Sequence, residues 1–290
     1  MRKHRIAPSL AAFAITLIGL GWRDAGALPC GVGLDDPCTV SNGTASISYD
    51  PVDNAANDFE LAGLEDWTID GVPQLFLQVF AIKIGAGPTT NLGNLTLGPA
   101  DADDVNDLIS ASYSTGAGGD LVTIELMLGL GSAPGTLSSI DVAVDITAGA
   151  ILFATPISFF MYTDLDLAGT FDGDTGSSTA DTLTQSDGPT VVKVRTSTPT
   201  SGFQVDDNIQ NPFVLFDAIV DGTLGGSLLL NNATGPLSGD INHAFQWTYT
   251  PTAENPSFAI RSSTAAVPAP APFALVGLGL IGIGLLRRKA

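Results

Sequence analysis

Apolar side chains in this chain return at every second position, in short runs broken by glycine and proline, and that rhythm confines it to strands and turns. Ala45, Ile47 and Tyr49 alternate with Thr44, Ser46 and Ser48; a period of two puts one set on a core face and the other toward solvent. The alternation recurs over 121–130 and 140–146. Residues 74–84 are apolar on both faces, with Leu75, Leu77 and Val79 against Phe76, Phe80 and Ile82, as in a central strand covered on both sides. An aromatic run at 157–162 and segments at 190–196, 213–217, 226–230, 244–250 and 257–260 are further predicted strands. Gly85-Ala86-Gly87-Pro88 and the glycine clusters at 116–120 and 131–135 punctuate them. Helix-building composition is missing: 290 residues hold four Glu and four Lys but 33 Gly and 18 Pro. About ten strands and no amphipathic helix predict an all-β fold, an antiparallel β-sandwich of jelly-roll-like form.

The two ends follow other rules. Residues 1–27 begin with Arg2, Lys3 and Arg5, continue through an apolar run over 6–21, and close on Ala25-Gly26-Ala27. That is the three-part order of a secretory signal, with cleavage expected after Ala27; a membrane-anchoring first helix is the alternative. At the other end Val267-Pro268-Ala269-Pro270 opens a proline-rich stretch, residues 273–286 carry no charge, and Arg287, Arg288 and Lys289 follow. Fourteen residues span roughly 21 Å as a helix, short of the ~30 Å hydrocarbon core, and the prolines cannot extend it without freeing backbone groups in lipid. The predicted transmembrane helix is a marginal anchor, suited to holding a protein briefly. Its basic end stays cytoplasmic by the positive-inside rule. Gly277-Leu278-Gly279-Leu280-Ile281-Gly282 matches the dinucleotide-binding glycine pattern, but that motif needs a preceding strand and an acidic residue about 20 positions later. Neither is present.

The Val-Pro-x-Pro motif, short apolar helix and terminal basic cluster together resemble the PEP-CTERM sorting signal of Gram-negative bacteria. The resemblance implies recognition by exosortase, a membrane cysteine transpeptidase, at a sorting motif comprising Val267, Pro268, Ala269, Pro270, Arg287, Arg288 and Lys289. It implies export through the inner membrane, with signal peptidase and the secretion machinery as partners, toward the cell surface or exopolysaccharide matrix. The motif departs at Ala269, where the commonest version has Glu, which bears on the sorting-enzyme subtype. Residues 67–72, 162–167 and 244–247 also resemble a recurring group of PEP-CTERM-tailed exported β proteins without an assigned activity. The expected organisation is a signal peptide (1–27), a disulfide-closed segment (28–43), a β-sandwich body (44–264), and the sorting signal with its transmembrane helix (265–290).

Between the ends, Lys83, Lys193, Arg195 and Arg261 are the only basic residues against all but one of the 30 acidic ones, a net charge near −25. Such a body lacks the basic footprint that nucleic-acid binding needs, keeps itself soluble by self-repulsion and attracts divalent cations. It is repelled by anionic polysaccharide unless cations bridge the two. Cys30 and Cys38, the only cysteines, read as one disulfide in an oxidising compartment; a metal pair or catalytic thiol lacks a neighbouring histidine.

Asp164, Asp166, Asp172 and Asp174 lie within eleven residues rich in Gly and Thr. Hard Ca²⁺ favours several oxygen ligands on a loop, so these are candidate calcium ligands. No EF-hand register fits them, and solvated Asp in turns is the other reading. His243, the body's lone histidine, is placed in a loop before a strand. No nucleophile elbow, zinc-helix motif or phosphate loop occurs. Trp67 and Trp247 are either core aromatics or a sugar-stacking platform. These features point to a non-enzymatic exported surface or matrix protein. The alternative is a carbohydrate-binding module or hydrolase acting on extracellular polymer.

Overall fold

The computed structural model describes residues 28–30, 37–52, 62–103, 106–116, 122–131, 138–170, 172–210, 214–219, 230–251 and 256–266. In chain order the first strands are β1 (Leu28–Pro29), β2 (Cys38–Ser41), β3 (Ala45–Asp50), β4 (Gly63–Ile69), β5 (Val72–Leu75), β6 (Leu77–Ile84), β7 (Thr89–Asn91), β8 (Thr96–Asp103), β9 (Leu108–Thr115) and β10 (Val122–Gly131). There follow β11 (Ser138–Ala148), β12 (Ile157–Asp164), β13 (Asp174–Ser178), β14 (Thr182–Asp187), β15 (Thr190–Thr196), β16 (Gly202–Asp207), the helix α1 (Val214–Ile219), β17 (Leu237–Gly239), β18 (Ile241–Tyr249) and β19 (Ser257–Ala266).

All pairings among these strands are antiparallel, and they form two sheets. One runs β1-β8-β9-β10-β11-β19-β15-β14-β13-β17 and holds ten strands. The other runs β16-β18-β12-β6-β4-β3-β2, with β5 beside β4 and β7 beside β6, and holds nine. The expected all-β antiparallel architecture is therefore observed. A jelly roll has about eight strands; here the counts are ten and nine, and consecutive hairpins (β8 to β11, β13 to β15) build most of the first sheet.

Alternation explains which residues face inward. Ile124, Leu126 and Leu128 of β10 and Val142, Val144 and Ile146 of β11 are buried, while Thr123, Glu125, Asp141 and Asp145 look outward. They meet Ile47, Trp67, Phe80, Phe159, Phe245 and Trp247 of the second sheet in one core. Each such large apolar side chain contributes roughly 1.5–3 kcal/mol on burial. Polar ties cross the core as well. Tyr49 and Tyr113 share a hydroxyl–hydroxyl hydrogen bond of 2.6 Å, Trp67 Nε1 donates to Ser138 Oγ at 3.3 Å, and Trp247 Nε1 donates to Thr198 O at 3.2 Å.

The centre of the second sheet is covered on its other face too. Leu77, Val79, Ala81, Phe160, Tyr162 and Ala244 pack against Leu215, Phe216 and Ile219 of α1 and against Leu230. The doubly covered strand expected over 74–84 is present, but it is broken at Phe76, which is 46% exposed. The strand expected over 213–217 is corrected. Residues 214–219 are helix, because Leu215, Phe216 and Ile219 fall on one helical face. Residues 226–229 of another expected strand lie outside the described residues. So do the signal peptide at 1–27 and the sorting motif residues Val267, Pro268, Ala269, Pro270, Arg287, Arg288 and Lys289. Ala265 and Ala266, assigned from sequence to the tail, instead pair with Val191 and Thr190 as the end of β19. Among the described residues, no helix is long and apolar enough to cross a membrane.

Asp70 and Gly71, both at positive φ (52° and 77°), join the paired Ile69 and Val72. This is the two-residue hairpin turn whose twist matches that of the strands. Cys30 and Cys38 form the expected disulfide, with Cα atoms 5.2 Å apart. Cys30 N donates to Ala100 O of β8, whereas Cys38 begins β2. The bond thus joins an edge of the first sheet to an edge of the second. Closing so short a loop contributes roughly 2–3 kcal/mol in the chain-entropy model. Cys30→Ser with Cys38→Ser is expected to lower the melting temperature by roughly 5–10 °C in calorimetry; an unchanged midpoint would show that the bond does not hold the sheets.

Candidate functional site

At one end of the sandwich the chain crosses between sheets twice, side by side. β12 of the second sheet ends at Asp164 and leads through Asp166 to β13 of the first; β17 of the first leads through Asp240 into β18 of the second. Asp164 sits opposite Asn242 and Thr163 opposite His243 in the β12–β18 pairing. The juxtaposed crossovers bring a carboxylate oxygen from each of Asp164, Asp166 and Asp240 within 4.8 Å of one another. Asp164 is buried, and Asp166 and Asp240 are half-buried.

The hydrogen bonding around Asp164 is one-sided. Its Oδ2 accepts from Tyr162 Oη at 3.3 Å and from Asn208 Nδ2 at 3.1 Å. Asn208 Oδ1 accepts in turn from Asn242 Nδ2 at 2.6 Å. Asp164 Oδ1 and Asn242 Oδ1 are buried without a hydrogen-bond partner. Burial, and then the charges of Asp240 and Asp166, push the Asp164 carboxyl well above the usual carboxylate range. Burial and the Asp240 charge raise Asp166 to about 6.

A second buried polar group adjoins the first. Asp174 Oδ2 accepts from Gln185 Nε2, which also donates to Leu165 O at 2.6 Å. Gln185 Oε1 meets His243 Nε2 at 3.1 Å, and His243 Nδ1 meets Ser178 Oγ at 3.0 Å. His243 lies inside β18, fully buried, and not in the loop expected before it. Burial alone lowers its pKa to about 3, so it is the neutral imidazole near pH 7. Gly176 permits this packing: a Cβ there would overlap Ile241 Cγ2 and stand 3.1 Å from the His243 ring. Ser178 and His243 are a hydroxyl and an imidazole in contact, but both are buried where no substrate reaches them.

Of the four predicted calcium ligands, Asp164 and Asp166 converge. Asp174 turns to Gln185 instead, and Asp172 is exposed on the turn before β13. Asp240 completes the group and was not identified from sequence. The available signal was the polar run Asp240, Asn242 and His243 entering a strand otherwise read as apolar. Trp67 is fully buried and Trp247 nearly so, the latter stacked on Phe258 at 4.7 Å between ring centroids; the sugar-stacking platform is thereby excluded at these two residues. A groove of about 350 Å³ does open beside Asp166, with Glu65 and the exposed Phe76 on its walls.

No protein-family model matches the chain, and no curated protein matches it. Among solved structures, a bacterial glucoamylase complexed with acarbose aligns at 10% identity and a TM-score of 0.48, over 91% of this chain and 36% of the other. A protein described as a kojibiose phosphorylase from the human microbiome aligns at 8% and 0.45, over 87% and 32%. An inverting mannosidase from Bacteroides thetaiotaomicron aligns at 8% and 0.39, over 78% and 27%. The chain spans about a third or less of the length of these structures, and all three TM-scores lie below 0.5.

Burial of Asp174, only partly offset by the Gln185 hydrogen bond, raises its pKa to about 7, against 3.8 for the free carboxyl. The folded state therefore holds a proton there that the unfolded state releases. The carboxylate's cost to stability is complete above pH 7 and disappears as pH falls toward 4. Asp174→Asn should stabilise the metal-free protein at pH 8, and the advantage should shrink through pH 6 to nothing near pH 4 in urea melts. A pH-independent difference would refute this account of Asp174.

Proposed function

We propose that this chain is a non-enzymatic surface or matrix protein of a Gram-negative bacterium. It is exported through the inner membrane, held there briefly by its apolar tail and processed by an exosortase within residues 267–270. The observation that carries this reading is where the last strand stops. β19 lies between β11 and β15, its final residue Ala266 pairs with Thr190, and Val267 of the sorting motif follows at once. A cut within 267–270 removes none of the described strands. The disulfide accords with an oxidising compartment, and the acidic body with a protein that remains dissolved in a crowded matrix.

A second reading rests on the groove beside Asp166. Phe76 is a large aromatic 46% exposed in a groove that Glu65 and Asp166 also line, the combination of aromatic and carboxylates that a carbohydrate-binding module or hydrolase uses. This reading replaces Trp67 and Trp247 with Phe76 as the stacking residue.

Intact mass of the mature protein, with cell fractionation in the presence and absence of exosortase, tests the first reading. The expected species lacks residues 1–27 and the chain beyond the 267–270 motif, and leaves the inner membrane only when the enzyme is present. A mature form retaining Arg287, Arg288 and Lys289 in cells that carry the enzyme would overturn it. Phe76→Ala separates the two: retention on exopolysaccharide should be unchanged under the first reading and fall severalfold under the second.

A further inference from the structure

We infer that Asp164, Asp166 and Asp240 form a divalent-cation site of the calcium class, which pins together the two chain crossings at this end of the sandwich. The inference concerns the folded body and stands apart from how the protein is exported. Its first support is the spacing. Oxygens that share one Ca²⁺ at about 2.3–2.6 Å cannot stand more than about 5 Å apart, and the three carboxylate oxygens lie within 4.8 Å of one another. The second support is independent of the clustering. Asp164 is 6% exposed, and its Oδ1 has no hydrogen-bond partner while Oδ2 is held by Tyr162 and Asn208. A buried carboxylate oxygen left without a donor costs free energy that a cation recovers.

The donor set is all oxygen, which suits a hard cation and disfavours zinc or copper. Asp164 supplies a fixed ligand, because hydrogen bonds on its other oxygen hold the carboxylate plane. Asp166 and Asp240 are half-buried and admit solvent, so water completes the coordination. Asp166 also lines the groove beside Phe76, so the open coordination positions face an accessible surface. The cation ties the exit of β12 in the second sheet to the β17–β18 crossing from the first. Asp172 and Asp174 take no part.

Thermal melts of the full chain, stripped with EDTA and titrated with CaCl₂, test this, with Asp166→Asn, Asp240→Asn and the exposed control Asp172→Asn. Millimolar calcium should raise the wild-type midpoint by about 3 °C or more. Asp172→Asn should keep the rise, and the two cluster variants should lose it while melting at or above wild type in EDTA, since each removes a like charge. Terbium alone is the second probe: it should give sensitised emission with wild type, displaced by calcium, and at least about tenfold weaker binding in Asp240→Asn. No rise with wild type, or an equal rise in all four proteins, overturns the site. If a cluster variant does not fold, wild-type terbium emission decides, and its absence overturns the site. Because these readouts concern only the folded chain, they are unaffected if the tail proves never to be processed.

Discussion

The centre of the second sheet is dry on both faces, and much of the architecture follows from keeping it so. β6, β12 and β18 send Phe80, Phe159 and Phe245 toward the first sheet and Val79, Phe160 and Ala244 toward α1 and Leu230. A strand in that position has no solvent face to which a polar side chain can be assigned, so any polar group it carries needs a partner inside the protein. Along most of their length these strands meet that condition by being apolar. The two tryptophans that bring an N–H into the core find a partner on the first sheet, Ser138 of β11 for Trp67 and Thr196 of β15 for Trp247. Those bonds fix how one sheet sits over the other, which non-directional burial alone does not.

The exception is the end of the sandwich where β12 stops and β18 begins. Thr163, Asp164, Asn242 and His243 are buried there together, and Gln185, Asn208 and Ser178 are drawn in to satisfy them. Satisfaction is incomplete, since Asp164 Oδ1, Asp174 Oδ1 and Asn242 Oδ1 are left without a partner beside the gathered charges of Asp166 and Asp240. The core is closed mainly by shape, whereas this end is closed by hydrogen bonds with several acceptors left over.

The alternating strands could be read from sequence because one face of each is wet. Ala45, Ile47 and Tyr49, or the β10 and β11 runs, carry the period of two directly. β4, β8 and β9 were not read although β9 alternates, and β13, β14 and β16 were not read because Asp, Thr, Gly and Ser make up most of them and inward residues such as Gly176, Ser178 and Gln185 are small or polar. The short run at 214–219 was misread because a few adjacent apolar residues fit a strand as well as one turn of helix. The disulfide was legible from the number and close spacing of the cysteines. Two of the three clustered carboxylates were legible as well: Asp164 and Asp166 lie close in sequence, while Asp240 arrives through a crossover some seventy residues later that no local pattern announces. Trp67 and Trp247 were ambiguous for the opposite reason, since an alternating aromatic has the same spacing whether its face meets a sugar or a core.

The position of β19 has a consequence for how this molecule comes into being. The strand that bridges β11 and β15 is drawn from residues 257–266, so the larger sheet stays split into two unjoined halves while everything before it is synthesised. During that interval two long strand edges stand open, each able to recruit a neighbouring chain. Insertion of the final strand seals both at once.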